Sequence, residues 1–206
     1  MNQNPIERDR NTAFIIGNGK SRDGFDLEKL RPYGKIYGCN ALYRDFEPDF
    51  LVAIDDGMID EIKQSDFPKE KFIEPPLVER FEPAKLHGRT HGLPRSNAGM
   101  NAMMEAIRRD HDQLILIGFD FIVASEEIGT SNIYTDTVNY GPETKATFAD
   151  NANRMWFLNW FIDNNSDVKF IFTIPMIEGS VSIWEFATEN DVYGVELEQL
   201  MNLLKE

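Results

Sequence analysis

The segment Gly17-Asn18-Gly19-Lys20-Ser21 follows a short apolar run and contains residue types suited to a phosphate-facing turn. Its ending matches a phosphate-binding P-loop, but that motif needs a glycine where Phe14 stands. A dinucleotide-binding fingerprint needs a third glycine where Arg22 stands. The turn still lets a ligand approach its backbone, and Asn18 can both donate and accept hydrogen bonds. The alternative is a tight strand-to-helix turn that binds nothing.

A second candidate is Arg95-Ser96-Asn97-Ala98-Gly99, which precedes an apolar helical pattern. The free N–H groups and positive end of a helix suit a phosphate or carboxylate, and Arg95 could add a bidentate contact. The alternative is an ordinary Ser/Asn helix cap, which needs no ligand.

Asp55-Asp56-Gly57 follows a predicted strand. Two carboxylates there could hold Mg²⁺ or Mn²⁺ against a diphosphate, or orient a sugar hydroxyl. An Asp-Gly turn without a metal explains the same residues.

The chain has three histidines. His87 and His91 are spaced as a helical zinc pair would be, but Gly88 and Gly92 argue against a helix there. His91 lies near Arg95 in the sequence and is the candidate general base.

Short apolar runs alternate with helical patterns along most of the chain, which favours a parallel sheet covered by helices. Strands are predicted at 13–16, 35–39, 50–54, 71–73, 114–117 and 168–174, and helices at 26–30, 59–64, 149–162 and 197–204, with a further helix capped by Asn97. That capped helix carries a methionine stripe, which predicts core packing. The aromatic residues around 149–162 predict a buried helix. Residues 122–144 are mostly polar and are predicted to form a lid loop.

The expected fold is α/β: a single doubly wound, mostly parallel sheet with helices on both faces, Rossmann-like, in one domain spanning residues 1–206. Ligands of such sheets bind beyond the carboxyl ends of the strands, at the switch point in strand order. The turns at Asn18, Asn40, Asp55 and Asp120 all follow predicted strands, so we expect them at one edge.

The formal net charge of −14, from 35 acidic and 21 basic residues, argues against general nucleic-acid binding. Cys39 is the single cysteine, so an internal disulfide is impossible, and a reducing cytoplasmic setting is expected. The apolar runs are too short to span a bilayer. The polar N-terminus does not resemble a signal peptide.

The ordered set of motifs resembles bacterial sialyltransferases of glycosyltransferase family 42 and the related "Gly-x-Gly-x-Ser" proteins of domain of unknown function 115. The similar features are a strand into Gly17-Asn18-Gly19-Lys20-Ser21, a strand into Cys39-Asn40, Arg95 four residues before Gly99, and Leu116-Ile117-Gly118-Phe119-Asp120-Phe121. They span about residues 13 to 121. Each motif alone is weak, and their common order is more specific.

The resemblance implies a sialyltransferase-like transfer of a sugar from a nucleotide-activated donor, possibly CMP-linked, to a glycan or other acceptor, without a metal or other cofactor. Asn18 and Ser21 would then contact the phosphate and ribose side of the donor, and Asn40 its sugar or nucleotide. The implied donor-binding set is Gly17, Asn18, Gly19, Ser21, Asn40, Arg95, Ser96, Asn97, Gly99, Asp120 and Tyr134. In the family, two lid tyrosines stabilise the leaving phosphate, so Tyr134 or Tyr140 is the candidate here.

Three departures from the family pattern leave other functions open. Ala98 and Ile122 replace a serine and a tyrosine, and no histidine follows His111, so the family's lid base is missing. One alternative is a non-catalytic nucleotide-binding descendant of the fold. The other is a pterin-type diphosphotransferase that uses ATP and Mg²⁺, with Asp55 and Asp56 as metal ligands.

Overall fold

A computed structural model describes residues 4–75, 96–174 and 182–206 of the chain. In these residues seven strands form one sheet in the order β4-β3-β2-β1-β5-β6-β7, and every neighbouring pair is parallel. The strands are β1 (Thr12–Ile16), β2 (Lys35–Cys39), β3 (Phe50–Val52), β4 (Phe72–Ile73), β5 (Gln113–Ile117), β6 (Lys169–Ile174) and β7 (Val192–Glu196). The predicted α/β fold is confirmed.

The described α-helices are α1 (Asp56–Gln64), α2 (Ala98–Ile107), α3 (Glu126–Gly129), α4 (Phe148–Asp163) and α5 (Leu197–Leu203). Short 3-10 helices at Lys20–Arg22, Asn40–Arg44 and Asp120–Ile122 directly follow the turns at the ends of β1, β2 and β5.

Both faces of the sheet are buried, because alternate residues of β1 and β5 enter two separate cores. Helices α2 and α4 cover one face, with Met100 and Phe157 in that core. Helices α1 and α5 cover the other, with Ile59 and Leu200. This arrangement makes the central strands continuously apolar, as β5 is in the sequence.

The methionine stripe of α2 is core packing, as predicted. Met100 and Met103 are fully buried, and Met104 and Ile107 pack at the edge of the same core. The prediction of a buried helix at 149–162 is confirmed for the face of α4 that carries Phe157 and Phe161, which are fully buried, and is wrong at Trp156, which is 41% exposed.

Two further predictions need correction. Strand β7 was missed, and the segment 122–144 is not a plain loop, because it contains α3 and a 3-10 helix at Pro142–Thr144. Among the described residues, no helix combines the length and apolar character needed to cross a bilayer.

The chain winds outward from β1 to β4 and then returns to β5 on the other side of β1. The strand order therefore reverses between β1 and β5, which creates a crevice beyond their carboxyl ends. The residues that follow these two strands are Gly17-Asn18-Gly19 and Gly118-Phe119-Asp120.

Candidate functional site

Glycines bring the two turns at the switch point into direct backbone contact. The Gly17 amide donates to Ile117 O at 2.7 Å, and the Gly19 amide donates to Gly118 O at 2.9 Å. A Cβ atom on Gly17 would lie 2.4 Å from the Gly118 carbonyl oxygen, which is too close for any side chain. Gly118 itself has a φ of 73°, in the left-handed region that favours glycine. The sequence motif thus fulfils a packing requirement of this fold.

Asp120 fixes the turn that carries Ser21. Its carboxylate accepts hydrogen bonds from the Ser21 amide at 2.9 Å, from the Ser21 hydroxyl, and from the Ser131 hydroxyl at 2.6 Å. The residue is 4% exposed, so this carboxylate is largely withheld from solvent. Ser21 and Asp120 were both predicted to contact a ligand, but their polar side-chain atoms bind each other.

Asn18 and Asn40 converge on the hydroxyl of Tyr140. The Asn18 side-chain amide donates to this hydroxyl at 3.1 Å. Burial raises the pKa of Tyr140, while hydrogen bonds from Asn18, Asn40 and the Ala41 backbone act in the opposite direction. The phenol therefore stays protonated at neutral pH and can donate a hydrogen bond.

The side-chain oxygens of Asn18 and Asn40 are buried and have no hydrogen-bond partner in the structure. A buried acceptor without a partner costs about 1–3 kcal/mol. Asn40 also has a φ of 51°, a left-handed conformation that asparagine tolerates better than most residues. Two such atoms at the switch point mark the wall of a candidate ligand site.

The start of α2 forms another part of the site. Asn97 caps the helix by accepting a hydrogen bond from the Met100 amide at 2.9 Å. The Ser96 hydroxyl accepts from Asn101 at 3.3 Å. Gly99 lets the helix pack against Phe119, since a Cβ atom there would lie 2.9 Å from the ring. Arg95 lies outside the described residues.

These elements line two connected cavities. The inner cavity, about 130 Å³, is bordered by Gly17, Asn18, Gly19, Asn40, Asn97, Gly99, Asp120 and Arg154, among others. The outer cavity, about 1020 Å³, also borders Asn40, Asn97 and Arg154, and it adds Asp55, Ser96 and Tyr140. The two together form the candidate cleft. The structure thus brings together the three asparagines that the sequence places on separate turns, and their role in binding stays a prediction.

Arg154 is a cleft residue that sequence reasoning missed. It lies on α4, three or four residues before Phe157 and Leu158, which are fully buried on the core side of the helix. A charged residue on that stripe is the signal that could have revealed it, because a helix normally keeps charge off its apolar face.

The predicted lid, residues 122–144, covers the cleft and is held in place by hydrogen bonds. The Ile133 amide donates to Asn18 O at 2.8 Å. Arg44 donates to the Thr137 hydroxyl and to Val138 O, and also pairs with Glu61. Although burial opposes this, hydrogen bonds from Tyr43, Arg44 and Asn139 hold the pKa of Glu61 below its ordinary value.

Tyr134 takes a different place from the one predicted. It is 6% exposed, its hydroxyl donates to Asp45 and accepts from Arg22 at 2.9 Å, and it borders neither cavity of the cleft. Desolvation and the Asp45 carboxylate raise the pKa of Tyr134. Tyr134 thus supports the lid from below, while Tyr140 is the lid tyrosine at the cleft.

The predicted metal ligands do not form a cluster. Asp55 borders the outer cavity, whereas Asp56 is the first residue of α1 and borders none of the cavities described above. In the described ranges, no group of three or more His, Cys, Asp or Glu side chains could hold a metal ion.

The candidate base His91 lies outside the described residues. His111 is 7% exposed and packs edge-on against Tyr37, just before β5 begins, so it is at the opposite edge of the sheet from the cleft. Burial lowers the pKa of His111. Cys39 is also buried, and burial raises the pKa of its thiol to about 12, so the thiol is protonated at neutral pH.

The fold and the cleft define a Rossmann-like α/β protein with a crevice at the switch point of its sheet. The fold is similar to that of the MAf glycosyltransferase from Magnetospirillum magneticum AMB-1, with a TM-score of 0.51 and 12% sequence identity. The match covers 90% of this chain and 33% of that protein, so the chain spans about one third of its length. At this identity the similarity shows the fold alone. No family model and no curated protein matches the sequence.

Proposed function

We propose that this protein is a glycosyltransferase that binds a nucleotide-activated sugar in the candidate cleft, with a CMP-linked sugar as the candidate donor. The observation that carries the proposal is the convergence of Asn18, Asn40 and Asn97 around one cavity at the switch point. The shared fold with a glycosyltransferase supports the reaction class.

The cleft chemistry suits a ligand with both hydroxyl and phosphate groups. The unpaired oxygens of Asn18 and Asn40 are acceptors that sugar or ribose hydroxyls can satisfy. The Tyr140 hydroxyl and the first amides of α2 are donors that suit phosphate oxygens. Both oxygens are buried and the Asn18 amide is bonded to Tyr140, so a ligand that contacts these oxygens requires neighbouring side chains to move.

The proposed reaction is transfer with inversion. An acceptor hydroxyl attacks the anomeric carbon of the donor, and a new C–O bond forms as the bond to the phosphate breaks. The nucleotide leaves with the bonding electron pair, and a general base takes the proton of the acceptor. His91 is the proposed base. Tyr140 donates a hydrogen bond to the departing phosphate, where negative charge develops.

Nucleotide binding is the first test. Isothermal titration with cytidine and uridine mono- and diphosphates is expected to show saturable binding of at least one nucleotide. Asn18→Ala and Asn40→Gly are expected to weaken it by about tenfold each, the size of a hydrogen bond worth about 1.4 kcal/mol. Glycine is chosen at position 40 because it tolerates the positive φ.

Asn164→Ala is the matched control, because Asn164 is exposed at the end of α4 and borders none of the described cavities. It should bind as tightly as the unmodified chain. Absence of binding to every nucleotide in the panel would contradict the proposal.

Tyr140→Phe tests the lid tyrosine during turnover. The variant keeps the ring and loses the hydroxyl, so the rate of nucleotide release from a donor is expected to fall about 10- to 100-fold. Nucleotide affinity should fall less, because the hydroxyl contributes most as charge develops. Tyr134→Phe should lower stability and leave the turnover of the folded fraction closer to normal. Equal turnover by the Tyr140→Phe variant and the unmodified chain would assign Tyr140 a purely structural role.

A second candidate function is ligand binding without catalysis. The observation that favours it is that no histidine follows His111 in the sequence, so the lid base of the family that the sequence resembles has no counterpart. Product detection by mass spectrometry after incubation with nucleotide sugars distinguishes the two. Detected turnover excludes the binding-only function, and loss of that turnover in His91→Ala would identify the base.

A further inference from the structure

Arg154 presents a cation to both cavities of the cleft. Arg154 lies on α4 one turn before the fully buried Phe157 and Leu158, and the residue is partly buried. Asn151 holds it there: the Asn151 side-chain oxygen accepts from Arg154 Nη1 at 3.1 Å. Asn151 is itself fully buried and donates to Gly129 O at 2.8 Å. The position of the guanidinium is therefore set by the fold.

The guanidinium has little compensation for its burial. Its one described hydrogen bond goes to the neutral Asn151 amide, and within the described residues it forms no ion pair. Burial lowers the pKa of Arg154, and only the more distant Asp150 and Asp55 favour its charged form. An arginine stays charged under all ordinary conditions and carries five N–H donors. One of them binds Asn151, which leaves four donors without a described partner. Withholding a charge from water without a partner is unfavourable.

Arg22 provides a comparison within the same molecule. It is 5% exposed, and its donors bind Gly17 O at 2.7 Å and the Tyr134 hydroxyl at 2.9 Å, with Asp45 at 3.9 Å. The fold thus satisfies one buried arginine with internal partners and leaves the other open to a cavity. This difference indicates that the partner of Arg154 comes from outside the chain.

We propose that Arg154 binds an oxyanion of the ligand, a phosphate or a carboxylate, and so makes the cleft selective for an anionic ligand. The inference rests on the proposed function, because it assigns a charged group to the ligand of the same cleft. Asp55, Asp136, Glu143 and Asp150 also border the outer cavity. These carboxylates disfavour an anion beside them, and Lys145 is a second cation at the outer cavity. Among the described residues, Arg154 is the cation that borders the inner cavity, so an anionic group that enters this cavity meets Arg154.

The test compares Arg154→Gln, which removes the charge, with Arg154→Lys, which keeps the charge but loses the planar fork. Titrations use cytidine, CMP and CMP-N-acetylneuraminate as probes. If the oxyanion is the phosphate, Arg154→Gln weakens CMP binding at least about tenfold and leaves cytidine unchanged. If it is the carboxylate of the sugar, CMP binds normally and only the sugar nucleotide loses affinity. Arg154→Lys should lie between in either case.

Arg31→Gln is the control, because Arg31 pairs with Glu28 and borders none of the described cavities. Unchanged affinity of Arg154→Gln for all binding probes would overturn the inference.

A second measurement separates this inference from the proposed function. If no nucleotide binds the unmodified chain, the thermal midpoint is compared in sodium phosphate and sodium chloride at equal ionic strength. Stabilisation by phosphate that disappears in Arg154→Gln would support the oxyanion site although the glycosyltransferase proposal had failed. Equal stabilisation of both proteins by phosphate, or none of either, would overturn the inference that Arg154 binds an oxyanion.

Discussion

Asp120→Ala is expected to lower the free energy of unfolding by about 2–4 kcal/mol and to abolish ligand binding in the cleft. The substitution removes the acceptor of the Ser21 amide and of the Ser21 and Ser131 hydroxyls, all of which lie at a nearly buried position. The alanine variant has no carboxylate that must be desolvated on folding, which offsets part of the lost stability. Asp120 joins the turn that carries Ser21 to the lid at Ser131. Its removal therefore breaks the contact between these two walls of the cleft.

Asp120→Asn is the matched variant. Its oxygen can still accept from the Ser21 amide, and its NH₂ group can donate to a serine hydroxyl that rotates to accept. We expect it to lose less than half as much stability as Asp120→Ala in urea unfolding. Unfolding midpoints equal to that of the unmodified chain for both variants would show that this hydrogen-bond network contributes nothing to the fold.

Gly17→Ala is expected to lower the free energy of unfolding by about 1–3 kcal/mol and to distort the switch point. The added methyl group would lie 2.4 Å from Gly118 O and 3.2 Å from a ring carbon of Phe119. A backbone oxygen cannot move aside as a flexible side chain does. The carboxyl ends of β1 and β5 would have to separate, which breaks the hydrogen bond from the Gly17 amide to Ile117 O.

Gly141→Ala is the control for this substitution. Gly141 has a φ of −68°, which any residue adopts, and the new methyl group would meet only the exposed Glu143 carboxylate, which can swing away. Its unfolding free energy should change by less than about 0.5 kcal/mol. If both alanine variants have the same free energy of unfolding, the close approach of Gly17 and Gly118 is not a constraint on the fold.

The central strands could be read from the sequence because their burial leaves a continuous apolar run. Leu114–Ile117 is such a run, and every residue of β5 is buried. Strand β7 leaves no such run, because it is an edge strand in which only Val195 is buried. Sequence patterns report burial, so an edge strand that is paired on one side and half exposed gives little signal.

The exposure of the individual side chains of α4 could not be predicted from the sequence for a related reason. Phe157 and Phe161 are fully buried while Trp156, their neighbour in sequence, is 41% exposed. Composition shows that the helix has aromatic residues, but which of them face the sheet depends on how the helix is rotated on it. The same rotation determines that Arg154 faces the cleft.

The site was predicted where turns follow strands, since parallel strands place those turns at one edge. This reasoning applies to Asn18 and Asn40, whereas Asn97 was predicted as a helix cap, and all three border the inner cavity. It could not separate residues that face the cavity from residues that hold the turn. Ser21 and Tyr134 are of the second kind, because their polar groups bind Asp120, Arg22 and Asp45.

The pairing of β1 with β5 also has a consequence for how the molecule comes to fold. Thr12 is paired with Gln113, and Ile16 with Ile117, so the central ladder joins positions about a hundred residues apart. Closing so large a loop costs conformational entropy before the strands gain any pairing energy. This slows folding, as expected for topologies with distant partners. On a translating ribosome, β1 to β4 emerge first and must wait for β5 to complete the centre of the sheet. The crevice between the two halves therefore forms only after β5 has been synthesised.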